Sequence, residues 1–188
     1  VKRNLVDDAQ EKSKRLDRLK NEDVLKELST LHTNGVKFVE PHEMSGALKG
    51  RSNLYNHLDM LMRGAEKSLT VVTTGDGLNR KLEALGPTME KLKKKGVKIR
   101  IAAPITKENF KSAKELSKYA EVRHTNSIQS RFAISDGKEL MFMVLNDEEV
   151  HPSYDIGIWV NTPFFSNTLE QMFEMNWKDM TPVQKLKF

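Results

Sequence analysis

Cysteine is absent from the 188 residues. No disulfide can staple the fold, and no thiolate can act as nucleophile or metal ligand; the composition suits a reducing, cytoplasmic setting. No run of 18 apolar residues occurs, so no membrane-spanning helix is predicted. No charged segment followed by an apolar stretch and a cleavage site is found, so no secretory signal is read. Aromatic residues make up 7% of the chain, and none is interleaved with the basic clusters, which leaves no stacking platform for single-stranded nucleic acid. The five histidines are scattered, and no His/Asp/Glu group has metal-ligand spacing. No metal or other cofactor is expected.

What is present is a chain with 38% hydrophobic and 30% charged residues. That builds one core of ordinary size under a heavily charged surface. The net charge is +5, and much of the excess lies between Gly77 and Arg100, where eight Lys/Arg face Glu83 and Glu90. A basic patch can attract phosphates. The stretch EKLKKKG also reads as the last turn of a helix, with lysines complementing the macrodipole and Gly96 closing it.

The first 34 residues contain neither Gly nor Pro and carry eight basic against seven acidic side chains. They are predicted to form one long polar helix. Its sparse apolar positions, Leu16, Leu19, Val24, Leu28 and Leu31 among them, need cover that a lone helix cannot supply, and they are candidates for a dimer interface. VKFVEP is read as an edge strand. Beyond it, Ser52 is expected to cap a helix with Leu54, Leu58, Leu61 and Ala65 in 4-3-4 spacing. SLTVVTT is a buried strand, Gly75-Asp76-Gly77 a turn, and a following helix is expected to break at Gly86-Pro87. VKIRIAAP is a strand, followed by a helix capped by Thr106. AEVRHT is read as a short strand, and ELMFMVL as the hairpin partner of the stretch from Ser127 to Leu140. YDIGIWVN is a further strand. Thr162-Pro163 opens a last helix with Phe165, Leu169, Met172, Phe173 and Trp177 inside, and TPVQKLKF is a frayed tail. The order implies α/β architecture with a mixed β-sheet flanked by helices.

SIQSRFAISDGKEL alternates: Ile128, Phe132 and Ile134 face one way; Gln129, Arg131, Ala133 and Ser135 the other. This is the pattern of a strand with one buried face, ending at the Asp136-Gly137 turn. The stretch has the layout of a phosphodiesterase signature, His-x-Lys, four residues, Asp. Gln129 stands at the His position, Arg131 at the Lys position, and Asp136 is in place.

Four pieces, LKGRSNLYNHLDMLMRGAEKSLTVVT, LKKKGVKIRIAAP, RFAISDGKELMFMVL and DIGIWVNTP, run in an order that resembles the phospholipase D-like domain of archaeal TrmB-family transcription regulators. The resemblance covers about residues 36–180. It implies a phospholipase D-like domain over 35–180, a connector and dimerisation helix over 1–34, and a tail over 181–188. It also implies DNA binding by the whole protein through a winged helix, which these residues do not contain, and a homodimer.

In the phospholipase D family the signature His attacks phosphorus, the Lys holds the phosphate oxygens, and a second copy of the motif supplies a general acid. Gln129 has no lone pair basic enough to attack. Arg131 can still hold an anion through its planar fork. A second copy is not visible, and His124, five residues earlier, falls on the opposite face of a continuous strand. The resemblance therefore implies a non-enzymatic regulatory domain that dimerises and senses an anionic or polyhydroxylated small molecule beside Gln129, Arg131, Ser135 and Asp136. Two alternatives stay open: a phosphodiesterase or nuclease with a displaced nucleophile, and a purely structural dimerisation scaffold. Arg131 and Asp136 can equally form a structural ion pair.

Overall fold

A computed structural model describes residues 41–188, together with Lys12 and Glu27 of the preceding segment. The predicted connector helix, its leucine positions and all of VKFVEP except Pro41 lie outside the described residues.

Residues 41–188 build one eight-stranded mixed sheet with helices on both faces. A short helix, α1 (Pro41–Met44), leads into β1 (Ser45–Lys49). Then follow α2 (Arg51–Gly64), β2 (Ser68–Val72), α3 (Gly75–Lys94), β3 (Lys98–Ala103), α4 (Phe110–Leu116) and β4 (Glu121–His124). A meander of β5 (Phe132–Ser135), β6 (Glu139–Met143) and β7 (Ile156–Asn161) precedes α5 (Pro163–Trp177) and β8 (Thr181–Pro182). The strand order is β1-β7-β6-β5-β2-β3-β4-β8. Strands β2, β3 and β4 are parallel, and every other pair is antiparallel.

Alternation along the strands divides two cores. Leu69, Val71, Ala133 and Met141 point to the face covered by α2, α3 and α4, with Leu54, Leu58, Leu85, Met89 and Leu116. Val72, Phe132, Ile134 and Leu140 point to the face covered by α5, with Phe173 and Trp177. This corrects the one-sided reading of the signature strand. All four residues of β5 are buried, because a central strand in a sheet covered on both faces has no solvent side.

Other local expectations also change. Gly75-Asp76-Gly77 is not a free turn but the first turn of α3, because the Thr74 hydroxyl accepts the Gly77 N–H (3.0 Å) and caps it. The helix runs on through Pro87 to Lys94. Proline removes only the bond to the Glu83 carbonyl, while Leu85, Met89 and Leu92 pin both halves to the sheet and the Thr88 hydroxyl bonds Asp59 of α2 (2.5 Å). Helix α2 begins one residue before Ser52, with Gly50 at its N-cap at φ 90°; the Gly50 N–H reaches the Asp155 carbonyl at 2.7 Å. Asn109, not Thr106, precedes α4, and its side-chain oxygen accepts the Thr106 N–H (2.9 Å). The tail is ordered: β8 pairs with β4, and Val183 is fully buried.

Candidate functional site

The chain leaves β2, crosses through α3 and α4 to β3 and β4, and then returns to lay β5 on the opposite side of β2. In open α/β sheets ligands bind outside the carboxyl ends of the strands at such a reversal. A cavity of about 800 Å³ lies there. Thr73 and Thr74 follow β2, Asn79 belongs to α3, and Gln129 and Arg131 precede β5; all five line it. Because β5 is antiparallel to β2, with Phe132 opposite Val72, its first residues meet the carboxyl end of β2.

Beneath the cavity is a compact charge cluster. Arg131, 8% exposed, holds Asp155 with both terminal nitrogens, at 2.7 and 3.0 Å. Arg51 adds a third contact to Asp155 at 3.2 Å. Asp147 accepts the Thr74 hydroxyl at 2.9 Å and the Arg80 guanidinium, and lies 3.8 Å from Arg131. Lys81 donates to the Thr73 hydroxyl at 2.8 Å and lies 5.5 Å from the centre of the Tyr55 ring. Burial tends to raise the Asp155 pKa, but the Arg131 and Arg51 contacts outweigh it and leave the carboxyl below its ordinary range. Lys81 is pushed down to about 7, by burial first and then by the Arg131 charge. Four cationic side chains thus surround two carboxylates. Even with Lys81 neutral, the cluster keeps an excess positive charge.

The buried polar atoms without a hydrogen-bond partner among the described residues are Asn79 Oδ1, Arg80 Nε, Arg131 Nε and Asp147 Oδ1. All belong to this cluster or line its cavity. Buried polar groups are nearly always paired, so their concentration here marks the site off from the rest of the domain.

The structure divides the four sequence-level candidates. Gln129 and Arg131 line the cavity. Ser135 and Asp136 lie at the other end of β5, roughly 16 Å of extended chain away from Arg131. Asp136, at φ 53°, uses its carboxylate to accept the backbone N–H groups of Glu66, Lys67 and Ser68 at 2.9, 2.8 and 2.8 Å. Burial works against that carboxylate, but the three donors prevail and depress its pKa. It clasps the loop between α2 and β2, and Arg131 takes its ion-pair partner from Asp155 instead. His124 Nδ1 accepts the Ile105 N–H at 2.8 Å, and His124 is not among the cavity residues.

Sequence reasoning assigned no role to Asp155, Asp147, Arg51, Arg80, Lys81 or Asn79. One signal was available. Lys81 sits three residues after Leu78 and four before Leu85, on the inner stripe of α3, where a lysine needs a reason. Arg51 and Asp155 stood within stretches that carried the family resemblance. Asp147 lies in a polar loop with no periodicity to point it inward.

The arrangement is that of a phospholipase D-like fold. Nuc from Salmonella typhimurium, a phospholipase D family member, matches with a TM-score of 0.55 at 12% identity, over 73% of this chain and 97% of its own. NucT from Helicobacter pylori matches with a TM-score of 0.58 at 13% identity, over 73% and 98%. TrmBL2, an archaeal chromatin protein with a novel mode of DNA binding, matches with a TM-score of 0.58 at 16% identity, over 95% and 68%. No curated protein matches. Residues 47–183 fit the family described as transcriptional regulator TrmB, EBD N-terminal subdomain. The chain belongs to the TrmB family of transcriptional regulators.

Proposed function

We propose that this domain is the non-catalytic, effector-sensing and dimerising part of a TrmB-like regulator. DNA contact is assigned to a winged helix outside these 188 residues, and dimerisation to a homodimer in which Leu16, Leu19, Val24, Leu28 and Leu31 take part. The observation that carries the sensing role is the cavity itself. It lies at the ligand position of the fold, with Arg131 of the cationic cluster in its wall and Asp76, Glu108 and Glu148 also in its lining, and it is lined by Gln129 where a phosphodiesterase would present its nucleophile. An anionic or polyhydroxylated small molecule suits it: the amides of Gln129 and Asn79 in the lining can bond hydroxyl groups, and Arg131 brings positive charge to the wall.

The test is a thermal-shift and calorimetric screen of phosphorylated compounds, carboxylates and sugars against the chain. Arg131 is a poor first probe, because removing it strands Asp155. Gln129→Ala and Asn79→Ala should weaken a genuine ligand while leaving the melting temperature of the free domain unchanged. A ligand indifferent to both would place sensing elsewhere.

A hydrolytic reading keeps one observation in its favour, the cationic cluster that meets the cavity at Arg131, which could hold a phosphate. Assays with bis-p-nitrophenyl phosphate and single-stranded DNA, with and without divalent metal, are expected to show no turnover. Turnover lost in His124→Ala would reveal a displaced nucleophile and overturn the regulatory proposal.

A further inference from the structure

Helix α5 buries only part of the side expected from its sequence. Ser166, Phe173 and Trp177 are buried, with Leu169 packed beside them. Phe165 and Met172, expected inside, are 53% and 54% exposed, and Phe164 and Met175 are 89% and 67% exposed. At 100° per residue, these four share one outward arc with Asn167, Thr168 and Gln171. Within α5 itself no charged residue falls in it; Lys178, the exposed residue at the C-cap, continues the arc past the helix end. The two charges of α5, Glu170 and Glu174, lie to one side and are both held by Arg100. Polar groups in and beside the arc turn back on the helix: the Thr168 hydroxyl donates to the Phe164 carbonyl (3.1 Å) and Asn176 to the Met172 carbonyl (2.9 Å).

In a chain with 30% charged residues, an uncharged arc of phenylalanine and methionine has the composition of an interface centre. Taking ~200 Å² for each large side chain, the four expose about 500 Å². The same sheet face continues beside the helix through the partly exposed Phe142, Ile158 and Val160. The four alone supply more than half of the ~800 Å² per partner of a standard interface.

We propose that a second copy of this chain docks on this face, α5 against α5 and antiparallel; the inference rests on the dimerisation proposed above and gives it a location in the folded domain. A two-fold arrangement brings a patch against itself. The arc is built for that: the phenylalanines stand at its start and the methionines near its end, so antiparallel packing sets each Phe pair on a Met pair, a favourable sulfur–aromatic contact. A lipid surface fits less well, since the flanks of α5 carry glutamates where interfacial helices carry lysine and arginine. A strongly charged partner would find only Lys178, at the end of the helix, to steer it.

The chain lacks cysteine, so a single introduced thiol reports on the contact without background. Gln171→Cys, near the middle of the arc, should oxidise to a disulfide-linked dimer at micromolar concentration. Met172→Glu, at an exposed position, should weaken the wild-type dimer at least tenfold in concentration-dependent light scattering on the full chain. A wild-type monomer would overturn both this inference and the dimerisation reading. A dimer that Met172→Glu does not weaken and that gives no Gln171→Cys cross-link would overturn the α5 interface alone. Flotation of the wild type with anionic vesicles, lost in Met172→Glu, would assign the face to lipid and overturn the second copy.

Discussion

At the scale of single residues, the chemistry of this domain is decided by which buried charges find partners. Asp155 has no exposed side-chain surface and receives three guanidinium contacts. Removing one partner of a buried pair leaves an uncompensated charge, which typically costs 3–5 kcal/mol. Asp155→Ala should therefore lower stability by about that amount in urea denaturation. Replacing Arg131 and Asp155 together by Met and Leu should cost much less; equal losses for the single and double variants would show that the pair is not coupled. Lys81 gives a pH signature. Its folded pKa, about 7, lies below the unfolded value near 10.4, so between those limits the unfolded chain binds more protons. Stability should rise with pH across that window, by at most about 1.4 kcal/mol per pH unit. Lys81→Met should flatten the rise, and a wild-type curve that overlays the Lys81→Met curve would reject the buried, easily deprotonated lysine.

At the scale of elements, the sequence reads well wherever one periodicity governs. The 4-3-4 leucines of α2, the β-branched run of β2 and the Thr162-Pro163 start of α5 all lie where expected. It fails where a partner distant in sequence decides. The side of α5 that is buried depends on the shape of the sheet face beneath it, and Phe165 and Met172 are as apolar as the residues that go inside. Within the site, Gln129 and Arg131 were accessible through a local motif. Asp155, 24 residues beyond Arg131, could be joined to it only by the β5-β6-β7 meander. The terminal segment tests the same point. Pro182 lies opposite Arg123, the β8–β4 pair closes one edge of the sheet, and Val183 seals the core beneath α4. Deleting residues 181–188 should lower the melting temperature by several degrees, since a buried aliphatic side chain alone contributes about 1.5–3 kcal/mol. An unchanged melting temperature would restore the frayed tail.

At the scale of the whole molecule, the question is what a net charge of +5 does for a protein of this family. The basic residues of 77–100 do not form one face. Lys81 is buried, Arg80 and Arg100 are engaged with Asp147, Glu170 and Glu174, Lys93 reaches the Lys118 carbonyl, and Lys94 pairs with Glu90 at 2.7 Å. Lys91, Lys93 and Lys94 occupy the last turn of α3, and Gly96 follows at φ 83°. They complement the helix end as a macrodipole requires. What remains is a diffuse attraction with no aromatic interleaving. Any binding of these 188 residues to DNA should come from the phosphate backbone alone. It should show little preference between sequences, and neutralising about three phosphates would give a slope of roughly −3 in log affinity against log salt. Fluorescence anisotropy with duplexes of unrelated sequence, titrated from 50 mM to 200 mM salt on the order used for such measurements, reads both quantities. The expected result is weak binding that vanishes across the titration. Tight, sequence-selective binding that persists at the upper salt concentration would place operator recognition inside this domain, and the winged helix would no longer be needed to account for DNA contact.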